Sequence, residues 1–309
     1  MAVGDFRDKL LTALGGPWPE PCELKLRVEK TESLAGFRRE TLSYEVEPGE
    51  RVTSFLLVPD QATAARPAPG ICVWHQHAGQ YDNGKYEPAG LRGAEMHHTG
   101  VALAKEGYVV LCPDTLGFGD RIPGKLKGQA LERWLFLKYV VAGKCLAWKN
   151  ILDMRRAVDV LCARPEVKSD RLGCYGHSMG STHTWLVGPW EPRLIALVGN
   201  CCLPTYAAIE RAELLHCFPN FIPGIGQYGD TPDIAALIAP RALHLNLGDE
   251  DGGSPIVEAR QGLDTIRRAY EAMHRSEQFT SFVEPRTGHV LSEAMWQRVK
   301  AHFAKHLQA

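Results

Sequence analysis

The sequence predicts an α/β protein, built on a mostly parallel, doubly wound sheet with antiparallel strands at its N-terminal side. Three observations carry this. From Ile71 onward, short apolar runs alternate with stretches of helical periodicity, the pattern of a parallel sheet covered by helices on both faces. Before it, three extended segments are separated by Ala35-Gly36 and Pro48-Gly49-Glu50 turns, which reads as an antiparallel meander. Finally, GCYGHSMGST at 173–182 sets a lone serine between two glycines directly after an apolar run.

In chain order, a short N-terminal helix precedes extended segments around Glu23 to Val28, Arg38 to Val46 and Val52 to Val58. QATAARPAPG then connects to candidate strands at Ile71–Trp74, Tyr108–Cys112, Leu172–Tyr175, Leu194–Val198, Ala242–Leu247 and Phe279–Val283. Between them, Met154, Val158 and Leu161 recur at helical spacing, as do Leu263, Ile266, Tyr270 and Met273, and Trp296, Val299, Phe303 and Leu307. These stripes read as faces packed on the sheet. The stretch from Arg121 to Lys149 is long for a connection and rich in Leu, Trp and Tyr. It reads as a helical insert above the site or as a plain surface helix pair. The whole, 1–309, is expected to be a single domain.

Composition narrows the function. With 35 Lys and Arg against 36 Asp and Glu, the formal net charge is -1, and no basic run interleaves with aromatics, so nucleic acid is not an expected partner. Charges at Asp5, Arg7, Asp8 and Lys9 interrupt the N-terminus where a signal peptide needs an apolar core, and no stretch has the length of a membrane span. A soluble cytoplasmic protein is the expectation. The nine cysteines show no paired zinc spacing and lie mostly in apolar runs such as GICVW and VVLCP, as small core residues do.

The serine stretch carries the chemistry. Strand, Gly-x-Ser-x-Gly, helix is the nucleophile-elbow arrangement. Gly176 and Gly180 lack the Cβ that would collide with neighbouring backbone, and the turn aims the Met179 N–H where a carbonyl oxygen becomes negative. Partners should stand beyond the C-terminal ends of the other strands. The strand ending at Leu247 runs into GDEDGGSP, offering Asp249, Glu250 and Asp251, and the last strand runs into EPRTGHV, offering His289. Serine, acid, histidine is the chain order expected of this arrangement. His289 would take the Ser178 proton and return it to the leaving group. Gly248 permits a sharp turn that leaves Asp249 near the sheet and lets Asp251 curl towards the histidine. A second oxyanion donor is expected from the loop HQHAGQ, at the His77 N–H.

With these residues the chain resembles the α/β-hydrolase superfamily, in the branch of dienelactone hydrolase and acetyl xylan esterase-like proteins, over about residues 50 to 308. The similarity is carried by WKNILDMRRAVDVLCARPEVKSDRLGCYGHSMGS, CPDTLGFGDR and LIAPRALHLNLGDEDGGSP. It implies Ser178 as nucleophile, Asp251 as acid, His289 as base, and His77 and Met179 as oxyanion donors, with no metal or cofactor. Dienelactone hydrolase uses a cysteine where this chain has Ser178. Acetyl xylan esterases typically have Gln and Gly where it has Met179 and Ser181, and the usual His-Gly of the oxyanion loop is His75-Gln76. The expected activity is hydrolysis of small to medium esters through an acyl-enzyme, since no long apolar lid is evident.

Three other readings compete. His75-x-His77 and the pair His97-His98 would suit a metal-dependent hydrolase, because residues two apart on a strand share a face. GIGQYG at 224–229 formally matches a dinucleotide fingerprint, but FPNFIP before it disfavours the strand that motif requires. A non-catalytic binding protein on a hydrolase fold is the third.

Overall fold

A computed structural model describes residues 3–308. Its elements are, in order, α1 (Val3–Leu14), β1 (Arg27–Leu34), β2 (Phe37–Glu47), β3 (Glu50–Pro59), β4 (Ala68–Trp74), α2 (Thr99–Lys105), β5 (Val109–Pro113), α3 (Gly128–Val141), α4 (Leu146–Cys162), β6 (Val167–His177), α5 (Met179–Val187), β7 (Leu194–Asn200), α6 (Tyr206–Arg211), α7 (Thr231–Ala236), β8 (Ala242–Gly248), α8 (Ile256–Ala272), β9 (Phe279–Glu284) and α9 (Glu293–Phe303). All nine strands form one sheet in the order β1-β2-β3-β5-β4-β6-β7-β8-β9. β1, β2, β3 and β5 pair antiparallel, and β5 through β9 are parallel. This is the α/β-hydrolase fold. Strand order reverses at β4, which lies between β5 and β6, and a crevice outside the strand ends at such a point is where ligands bind in open α/β sheets.

Alternation along the strands builds two cores. Cys72 and Trp74 of β4, with Val109 and Leu111 of β5, face one core with α1, α4, α5 and α8; Ile71 and Val73, with Val110 and Cys112, face the other with α2 and α9. A parallel strand buried on both faces reads as a continuous apolar run, which is why β4 to β8 stand out in sequence.

The first extended segment lies later than expected. β1 runs Arg27–Leu34 and pairs with β2 around a Gly36 turn, Leu34 opposite Phe37. Seven of its eight residues are exposed, so it has no apolar pattern to mark it. The expected Glu23–Val28 run is instead bent at Lys25, which has a φ of 42°, although the Glu45 N–H still reaches the Leu24 carbonyl at 2.7 Å. Residues 121–149 contain an irregular stretch, α3 and the first turn of α4. The nine cysteines are free, six of them buried. Among the described residues no helix is long and apolar enough to cross a membrane.

Candidate active site

The apolar end of β6 delivers Ser178 at a backbone φ of 57° and ψ of -121°, a conformation that L-residues rarely adopt. The Ser178 N–H donates to the Asn200 carbonyl on β7 at 2.8 Å, which holds the turn. A Cβ on Gly176 would lie 2.0 Å from the Gly180 backbone, and one on Gly180 would lie 2.1 Å from the Trp74 carbonyl oxygen. Only glycine fits either position. Met179 opens α5, so its N–H has no carbonyl one turn back and is free to donate.

The ends of β8 and β9 lie side by side, Gly248 opposite Glu284, and the loops after them bring His289 and Asp251 together. His289 Nδ1 donates to Asp251 Oδ2 at 2.8 Å. A carboxylate only accepts, so this bond puts the ring's proton on Nδ1 and leaves Nε2 as a lone pair. Asp251 is 2% exposed, and its other oxygen accepts the Gly253 N–H at 2.8 Å. Asp249 instead accepts from the Thr287 N–H at 3.3 Å. The acid loop is braced from α5: Thr182 donates to Asn220, the Asn220 amide donates to His216 Nδ1 at 2.9 Å, and His216 Nε2 donates to the Gly253 carbonyl at 2.8 Å. Burial lowers the His216 pKa, which keeps the ring neutral as this relay requires.

No hydrogen bond joins the Ser178 hydroxyl to His289 among the described residues. The residue before Ser178, His177, has its ring centroid 5.1 Å from that of His289 and 4.6 Å from that of His97. Burial drives the His177 pKa well below its ordinary value, and burial, followed by the neighbouring His289 and His98, takes His97 down to about 4. Two neutral rings therefore lie behind His289, tilted to one another by 32°.

The loop after β4 engages α3. His77 Nε2 donates to Glu132 Oε2 at 2.9 Å, the Tyr81 hydroxyl donates to the same oxygen at 3.0 Å, and Phe118 packs on the rings of His77 and Tyr81 at 5.1 and 5.0 Å. His75 points elsewhere: its Nδ1 donates to the Gln76 carbonyl at 2.8 Å and its Nε2 accepts the Thr115 N–H at 3.1 Å. Since His77 Nδ1 also accepts from the Gly79 N–H at 3.0 Å, both nitrogens of both rings are engaged and no shared lone-pair site remains. His97 and His98 likewise part, His98 Nε2 bonding the Arg92 carbonyl at 3.1 Å. Among the described residues no three His, Cys, Asp or Glu side chains are grouped to hold a metal ion. Residues 224–229 form a short turn between irregular segments and α7, with no strand ahead of them, so the dinucleotide reading loses its context.

The residues that composition and spacing did not single out are Glu132, Tyr81, His177, His216 and Asn220. His177 alone had a local signal, as the residue between Gly176 and Ser178.

Solved structures share this architecture. A glucuronoyl esterase from Solibacter usitatus superposes with a TM-score of 0.68 at 17% identity, over 98% of this chain and 92% of its own. An acetyl xylan esterase from Paenibacillus sp. R4 gives 0.66 at 15%, over 99% and 94%. By sequence, YtaP of Bacillus subtilis (strain 168), which carries the name of a hydrolase, is 29% identical over 277 residues, 88% of each chain. The sequence pattern of the Abhydrolase family matches residues 18–300, and the chain belongs to that family.

Proposed function

We propose that the protein is a serine carboxylic-ester hydrolase acting through an acyl-enzyme on small to medium esters. The observation that carries the reading is the 2.8 Å bond from His289 Nδ1 to the buried Asp251 carboxylate, formed at the strand ends beside the positive-φ turn of Ser178. The names of the two solved esterases and of YtaP support the same reaction class. In this reading His289 Nε2 takes the Ser178 proton as the oxygen attacks the ester carbonyl, and the N–H groups of Met179 and His77 receive the negative oxygen. Collapse of the tetrahedral adduct expels the alcohol, which takes the proton from His289. Water then attacks the acyl-serine with the same base, releasing the acid. Asp251 holds the ring in the required tautomer and stabilises the transient imidazolium.

The test is Ser178→Ala assayed on short-chain chromogenic esters, with a circular dichroism spectrum to establish folding. A loss of roughly a thousandfold or more in kcat is expected. A folded variant retaining a third of wild-type turnover would sink the proposal. Short acyl chains should give the higher kcat/KM.

A further inference from the structure

A cleft of about 400 Å³ opens at the other end of the strands, between the sheet edge and α9. His244 is the third residue of β8 and lies in register with Thr280, the second of β9, so the cleft sits where these strands begin; Asp251 and His289 follow where they end. Its charged wall comes from Arg298 and His302 of α9 and from Lys305 and His306 of the turn after it. No carboxylate lines it among the described residues. On α9, Lys300 pairs with Glu106 at 3.5 Å, and neither Arg298 nor Lys305 has an acidic partner among the described residues. The Arg298 guanidinium lies 3.7 Å from the centroid of the Phe282 ring, which holds it in the cleft wall.

The imidazoles add a second observation. The His302 ring is 4.7 Å from His306 and 5.8 Å from His244, centroid to centroid. His244 is satisfied: Nε2 donates to Asn246 Oδ1 at 2.9 Å, and Nδ1 accepts from the Thr280 hydroxyl at 2.7 Å. His302 is not. It is 8% exposed, and Nε2, itself sealed from solvent, has no hydrogen-bond partner among the described residues. The negative end of α9 favours cations on its last turn. It does not account for an unpaired nitrogen just behind the wall, since buried polar atoms normally have partners.

We propose that this cleft binds a small oxoanion of the phosphate class, free or as the phosphoryl group of a small metabolite, with Arg298 and Lys305 as fixed charges and His302 and His306 as proton-linked donors. A neutral imidazole keeps one lone pair, so this wall donates fully to an anion only when its rings take up protons. Phosphate carries about −1.5 to −2 charge near pH 7 and gains more from those protons than the single charge of a carboxylate. Burial, followed by the neighbouring His244, His306 and Lys305, holds the His302 pKa well below its ordinary value, and Arg298 lines the same wall. Binding is therefore tied to proton uptake and strengthens as pH falls.

The experiment is calorimetric titration of the full chain with inorganic phosphate, glycerol phosphate and acetate, in buffers free of phosphate. Phosphate should bind roughly tenfold or more tightly at pH 6 than at pH 8, with net proton uptake. Acetate should bind far more weakly. Equal binding of inorganic and glycerol phosphate means the phosphoryl group alone is read, and preference for the ester points to a metabolite; either supports the cleft. Arg298→Gln and the exposed Lys305→Gln should each weaken binding severalfold or more with ester hydrolysis unchanged, and His302→Asn should flatten the pH dependence. No heat with either phosphate at millimolar concentration and pH 6, or full binding by both Arg298→Gln and Lys305→Gln, overturns the proposal.

Discussion

Asp249 and Asp251 stand two residues apart on one loop, and their surroundings divide their roles. Asp251 is buried, with one oxygen on His289 and the other on the Gly253 N–H; Asp249 caps the Thr287 N–H. An amide at 251 can present its NH₂ to His289 Nδ1, which moves the ring proton to Nε2 and removes the lone pair that accepts from Ser178. Asp251→Asn should therefore lower kcat by about a hundredfold or more. Asp249→Asn should cost far less. Both variants assayed at one pH decide the matter, and the reverse ranking would move the acid to Asp249. The neutral pair of His97 and His177 behind His289 serves the same end, because neither ring places a positive charge against the imidazolium that forms during turnover.

Among elements, α3 is the one whose contribution comes from far away in the chain. Glu132 is 6% exposed and draws in both His77 and Tyr81, so one carboxylate fastens the loop after β4 to this helix. If the His77 N–H binds the oxyanion, Glu132→Ala releases it from its position. The expected result is a fall in kcat, up to about a hundredfold, with little change in KM, because an oxyanion donor acts chiefly in the transition state. An unchanged kcat in the folded variant would detach α3 from the chemistry. The same distance explains what the sequence hides. Strands β4 to β8 announce themselves as apolar runs, and β1 does not because it is exposed along nearly its whole length. The turns at Gly176 and Gly180 are legible because the steric demand is local. Glu132 is 55 residues from His77, and nothing near either residue signals the pair. His97 pairs in sequence with its neighbour His98, but its ring partner is His177, and that pairing exists only once the turn before α2 packs against the end of β6.

Taken as a whole, the molecule stores an unusual number of neutral histidines, and this sets its response to acid. His177, His183 and His302 are 3%, 1% and 8% exposed, and burial is the leading cause that holds all three pKa values down, His183 to about 3. In the unfolded chain each would titrate near 6.5. The native state then binds fewer protons than the unfolded state at any pH below that value. Stability is accordingly present above pH 6.5 and is lost as pH falls towards the depressed native values. Between pH 7.5 and 5.5 each such residue withdraws about 1.4 kcal/mol, so the three together withdraw about 4 kcal/mol. That is a large share of the 5 to 15 kcal/mol typical of a folded domain. His75, His97, His216, His244 and His306 are shifted in the same direction and add to the loss. This window lies above the range where most carboxylates titrate, so the ion pairs of the fold remain intact across it. Urea denaturation at the two pH values, in phosphate-free buffer so that nothing occupies the cleft at His302, should show the fall, with uptake of about three protons or more on unfolding at pH 5.5. His302→Asn should reduce the difference by about a third of the three-residue share. Equal stability at both pH values would mean that these rings reach solvent in the native state and are not held neutral by the fold.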